Sequence, residues 1–212
     1  FRDGVDITPA DIFAHVAAGG ALCSTAANNV DDYHALFARV LRECDAIIHV
    51  DISADFSSCY QNACVAAEDF PGQVFVVDSR NLSSGIGLTI LKAAKLIEEG
   101  KLTAAEIAAE AEKIIPKVRA SFVVDTLTYL YRGGRCSAVS AVAASALGIK
   151  PKIVVENGKM GVGAKYRGRL AAVVRKYVED MLPELKKADP DAVFITVRFK
   201  RYEFQHPVSQ GS

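Results

Sequence analysis

Two short stretches, AIIHVD at 46–51 and QVFVVD at 73–78, run almost wholly apolar instead of alternating. Runs of that length suit strands of a parallel sheet covered on both faces. Each is followed by a helical pattern, one opening near Ser57 or Ser58 and one near Ser83. Upstream, Tyr33, Leu36, Phe37, Val40 and Leu41 recur at helical spacing. A short helix is predicted from Pro9 to the pair Gly19 and Gly20. The helix after the second strand should stop at Gly100, and Thr103 with Glu106 forms a capping box for the next. Strand and helix in alternation predict a parallel-sheet, Rossmann-like α/β domain over residues 1–118.

The grammar changes near residue 119. RASFVVDTL predicts a strand, YLYRGGRCS a helix end or turn, and SAVSAVAASALG a helix of small residues. KPKIVVENGKMGVGAKY predicts two strands joined at Asn157-Gly158, a strong hairpin signal. A long helix over 168–188 and a strand over 192–197 follow. Hairpin pairing makes this sheet antiparallel, so residues 119–212 are expected to form an α+β domain, incomplete at its end. The fold class is therefore α/β, a parallel-sheet domain followed by one with antiparallel strands.

Composition removes several functions. The 25 basic and 25 acidic residues cancel, which takes away the electrostatic case for nucleic acid. No apolar run approaches the roughly 18 residues a membrane-spanning helix needs. Five cysteines without a C-x-x-C pair support neither a disulfide framework nor a zinc site. Unpaired thiols in a reducing cytoplasm are the expectation.

The chemistry-bearing residues are hydroxyls. In an open parallel sheet, ligands lie beyond the carboxyl ends of the strands. Ser57 and Ser84 should both stand at that edge, with Thr25 just before a helix. The Gly85-Ile86-Gly87 stretch lacks the third small residue of a dinucleotide fingerprint, since Ile90 occupies that position. The helix start behind LSSG can still attract an anion, or Gly85 can serve packing alone. Gly133-Gly134-Arg135 offers either a guanidinium fork for an anion or a simple helix-ending turn. His49 and Asp51 share one face of a strand and could meet neighbours beyond the sheet edge, although a buried strand histidine is more often a satisfied core residue. No G-x-S-x-G elbow occurs, and no histidine is tied to a serine by any pattern. Hydroxyls with one arginine suit an anionic head group and leave no evident catalyst.

Several stretches, in order, resemble the DegV family of bacterial fatty-acid-binding proteins from Asp3 to about Thr196. They are FRDGVDITPADIF, STAANNVDDY, ISADFSSCYQNA, VFVVDSRNLSSGIGL, FVVDTLTYLYRGGRCS and LGIKPKIVVENGKM with YRGR. The resemblance implies a two-domain protein without catalysis of its own. It would hold a long-chain fatty acid in an apolar tunnel and present the carboxylate to a fatty acid kinase subunit. It needs no cofactor, and no association with nucleic acid or within a membrane is expected. By position, Thr25 matches the family's T-S threonine, Ser57 its L-S-G serine and Arg135 its G-G-R arginine. Ser58, Ser84 and Gly85 complete the expected fatty-acid-binding set. Departures are Ala26 and Ala27 for Ser-Gln, and Phe56-Ser57-Ser58-Cys59 for L-S-G-T. The family's opening D-S strand and closing H-x-G-P-G region have no counterpart, and the histidine role is not carried to His206. Two rival readings stand beside the carrier: a hydrolase or phosphotransferase using the same serines, and a truncated module whose ligand site has decayed.

Overall fold

The computed structural model describes residues 1–2, 4–127, 130–131, 133–134 and 148–188. Helix α1 (Pro9–Ala17) and helix α2 (Val30–Val40) each begin at a reciprocal capping box, Thr8 with Asp11 and Asn29 with Asp32. Strand β1 (Ile47–Asp51) leads to α3 (Cys59–Ala67), and β2 (Val74–Asp78) leads to α4 (Ser84–Glu99). Helix α4 ends at Gly100 in the left-handed conformation, and α5 (Ala104–Ile114) opens at the Thr103–Glu106 box.

β1 and β2 pair in parallel, in register from Ile47 opposite Val74 to Asp51 opposite Asp78. Alternate residues divide the packing as a two-residue period requires. Ile47, Val74 and Val76 pack with Tyr33, Phe37 and Ala63 of α2 and α3. Ile48, Val50, Phe75 and Val77 turn to the other face, against Ala108 and Ile115. Ile48 also meets Ala93 and Leu96 of α4 and Ile107 and Ala111 of α5. Helices thus cover both faces, which is why neither strand needed polar alternation.

The second sheet is antiparallel, with β4 (Ile149–Glu156) between β3 (Ala120–Val123) and β5 (Lys159–Arg167). Asn157 and Gly158 both take positive φ, 51° and 83°, as a two-residue type I′ turn demands. Helix α6 (Leu170–Leu185) packs on this sheet. Tyr177 donates its hydroxyl to the Ser121 carbonyl at 2.8 Å, and Tyr166 donates to Asp180 at 3.1 Å. All but the last residue of the helix predicted over 137–148 lies outside the described residues, as do the strand over 192–197, Cys136 and the tail 198–212.

Cys23, Cys44, Cys59 and Cys64 are unpaired. Denatured, unreduced protein should therefore yield five titratable thiols per chain; a lower count would reveal a bridge. Among the described residues no helix is long and apolar enough to cross a membrane, and no acidic, cysteine or histidine cluster could hold a metal ion.

Candidate functional site

Because Asp51 and Asp78 are register partners, the loops leaving β1 and β2 start side by side. The first runs over 52–58 and carries Ser57 and Ser58. The second runs over 79–83 and delivers Ser84. Ser57 is half-buried, and its hydroxyl accepts the N–H of Cys59 at 3.2 Å. Ser58 is exposed at the N-cap position of α3, where its side chain makes no capping bond. Of the two serines predicted to start α3, Ser57 supplies the hydroxyl bond and Ser58 occupies the cap.

Ser84 opens α4 half-buried, and Gly85 behind it is buried. A side chain at Gly85 would collide with the Asn81 side chain, so the glycine here gives Asn81 its seat. Thr25 is exposed on the segment before α2. That segment is held to α3 three residues further on, where Asn62 donates its amide to the Asn28 carbonyl at 2.6 Å. Arg135 lies outside the described residues. Before it, Gly134 takes a φ of 70° and donates to the Tyr131 carbonyl at 3.2 Å, the turn expected of a double glycine.

The helix starts at this edge differ from their neighbours. α1, α2 and α5 carry full capping boxes, whereas α3 and α4 have no cap bond from the N-cap side chain. α6 also begins without one, at Arg169, on the second sheet. These starts are not bare, since Ser57 Oγ takes the Cys59 N–H and the Leu82 and Ser83 carbonyls take those of Gly85 and Ile86; what both direct outward is the positive end of the helix dipole. Two such starts follow adjacent strands, and that combination suits an anion.

The loop after β2 is strained. Arg80 and Ser83 take φ values of 47° and 50°, a region that non-glycine residues occupy at a cost. Asp78 holds the bend by accepting the N–H of Arg80 at 2.8 Å and that of Ala54 at 3.3 Å. One carboxylate therefore ties both loops.

Beneath lie polar residues wholly or partly buried, of which the sequence pointed to His49 and Asp51 but not to Ser53, Ser79 or Asn81. Asp51 accepts the Tyr33 hydroxyl at 2.9 Å and the Ile52 N–H at 2.7 Å, and meets His49 Nε2 at 3.2 Å. Burial pushes the Asp51 carboxyl up, but the bonds from His49, Tyr33 and Ile52 outweigh it and hold the group below the usual carboxylate value. Burial first, then bonds to Cys59 and Asp51, raise the Tyr33 hydroxyl far above its ordinary range, so it remains a donor. The His49 ring lies edge-on to Tyr33 and Phe37, each at 5.4 Å between centroids. Of its two open readings, His49 takes the satisfied core one. Ser53, Ser79 and Asn81 are likewise buried. The alternation of His49 and Asp51 was a usable signal; no pattern in the sequence marked Ser53 as buried.

Residues 1–199 match the family model described as uncharacterised protein, DegV family. The chain belongs to the DegV family. A DegV domain-containing protein of Deinococcus radiodurans is 33% identical over 184 residues, which cover 84% of this chain and 65% of that one. A DegV family protein from Thermus thermophilus, solved under a description of its fatty acid binding, superposes with a TM-score of 0.74 at 32% identity. A stearic acid-binding protein from Eubacterium ventriosum has the same TM-score at 28% identity. Both structures align over 88% of this chain and over 65% and 66% of their own. The chain thus spans about two thirds of the length of these DegV proteins.

Proposed function

We propose that this DegV chain binds a long-chain fatty acid and presents its carboxylate to a fatty acid kinase subunit, with no catalysis of its own. The observation that carries the reading is the pair of helix starts at the carboxyl edge of β1 and β2, neither bonded by its own N-cap side chain. A carboxylate in that place would meet the positive ends of two helices, the hydroxyls of Ser57, Ser58 and Ser84, and Thr25 from the neighbouring segment. Gly85 keeps the α4 start free of bulk, and Arg135 supplies the countercharge. Burying the charge without such donors would be prohibitive. The acyl tail supplies affinity at roughly 0.8 kcal/mol per buried CH₂, in an apolar tunnel reached between a first domain over 1–118 and a second from 119. The fatty acids named for the Thermus thermophilus and Eubacterium ventriosum proteins support the ligand class. The protein would act in the cytoplasm, where a kinase subunit can meet it.

Native mass spectrometry of the purified protein should show one acyl chain per protein, released by denaturing extraction. Protein that carries no acyl chain and takes up no added oleate would overturn the reading. Ester hydrolysis lost on Ser57→Ala would favour the hydrolase instead. Arg135→Ala should weaken oleate retention by about 1.5–3 kcal/mol, the scale of a charge-assisted hydrogen bond, and Arg135→Lys should restore it only in part. Retained lipid with lost phosphorylation by the kinase would move Arg135 from the pocket to the presenting surface.

A further inference from the structure

The tip of the β4–β5 hairpin reaches both loops that carry the serines. Ser53, fully buried, donates its hydroxyl to the Gly158 carbonyl at 2.8 Å. The same oxygen accepts the Asp55 N–H at 3.3 Å, and the Ser53 carbonyl accepts the Phe56 N–H at 2.9 Å. One residue thereby joins the hairpin tip to the turn that delivers Ser57. From the other loop, Arg80 Nη2 donates to the Asn157 carbonyl at 3.2 Å. The two loops also meet each other, since the Ser53 N–H donates to the Asn81 carbonyl at 2.9 Å. An ion pair between Lys159 and Asp55 at 3.5 Å closes the group on its exposed side.

Adjacent carbonyls of one tight turn thus take donors from two loops lying 77 and 105 residues away in sequence. A type I′ turn has little freedom to follow one loop without the other. Gly158 is held to glycine twice over. Its φ is 83°, and a Cβ there would stand 2.8 Å from Ser53 Oγ and 2.9 Å from Asp55 Oδ2.

We infer that the Asn157–Gly158 turn is a positioning clasp for the carboxylate site: with Ser53 and Arg80 it sets the spacing between the Ser57 loop and the Ser84 helix start. None of the clasp residues needs to touch the ligand. The role rests on the proposed fatty-acid site, but the clasp itself can be tested without any lipid.

Hydrogen exchange on lipid-free protein, followed by binding of palmitate and of hexadecanol, tests it. Gly158→Ala should speed exchange in both 53–58 and 79–84. Palmitate should then bind about tenfold more weakly or worse, as when a charge-assisted hydrogen bond is misplaced, while hexadecanol changes less than about twofold. Loss of general packing would weaken acid and alcohol alike, and that result would overturn the clasp. So would unchanged exchange in both loops. If Gly158→Ala does not fold, Arg80→Ala removes the second arm from an exposed position and should speed exchange in 79–84 with the same acid-selective loss. Wild-type protein that binds neither probe would sink the fatty-acid reading alone, because exchange in lipid-free protein still decides whether the hairpin holds the loops.

Discussion

Phe37→Ala unfolds with about 3–5 kcal/mol less free energy than the wild type, the usual range for deleting a buried aromatic ring. Phe37 has no exposed surface. Its ring centroid lies 6.0 Å from Tyr33, 5.4 Å from His49 and 6.3 Å from Phe70. Those neighbours belong to α2, β1 and the turn after α3, so the ring locks the helix pair onto the sheet. Its removal leaves a cavity that cannot close without moving all three, and a domain of ordinary stability holds only about 5–15 kcal/mol in total. Because α3 begins at Cys59, loosening this layer also frees the Ser57 loop. Urea unfolding followed by circular dichroism gives the number. A loss below about 1.5 kcal/mol would mean that the layer repacks and that Phe37 is not its keystone. Phe37→Leu keeps much of the volume and should recover much of the loss.

Asp51→Ala is expected to cost about 2–5 kcal/mol, because it leaves the buried Tyr33 hydroxyl and the Ile52 N–H without their acceptor. Asp51→Asn keeps one acceptor oxygen and should cost less. Its diagnostic effect lies in the pH dependence. The folded Asp51 carboxyl sits below its ordinary value of 3.8, so it binds fewer protons folded than unfolded in the acid range. The stability it contributes is complete above that ordinary value and is lost as pH falls through the lower folded one. The gap between wild type and Asp51→Asn should therefore be widest near about pH 6 and narrow towards about pH 3. An equal gap at both would show that the charge of Asp51 contributes nothing and that only its shape matters. The loop that carries Ser57 starts at this residue, so fatty-acid retention should fall in step with stability.

The readable parts of this protein were those governed by neighbours in sequence. Apolar runs with no alternation marked β1 and β2 because both faces are covered by helices. Thr103 with Glu106, Gly100 and Asn157-Gly158 marked a helix start, a helix end and a turn, since each satisfies backbone geometry within a few residues. A fold-level rule, that parallel strands end at one edge, put Ser57 and Ser84 together. Resemblance supplied the ligand class, which no periodicity contains.

What periodicity and capping could not separate was one serine from another; only the resemblance singled out Ser57. Ser53, Ser57 and Ser58 stand within six positions, and all carry the same hydroxyl. Their roles diverge because one of them finds a partner far along the chain: Ser53 is buried under the hairpin turn, whereas Ser57 takes the N–H of Cys59 two residues on and Ser58 faces solvent. Asp51 and Asp78 look alike at the ends of two similar strands. Yet one receives Tyr33 from α2, and the other receives the N–H groups of two loops. Hydrophobic period and capping are short-range and survive in a one-dimensional reading. The satisfaction of buried polar groups depends on which loops the fold brings within about 3 Å, and only the tertiary structure decides that.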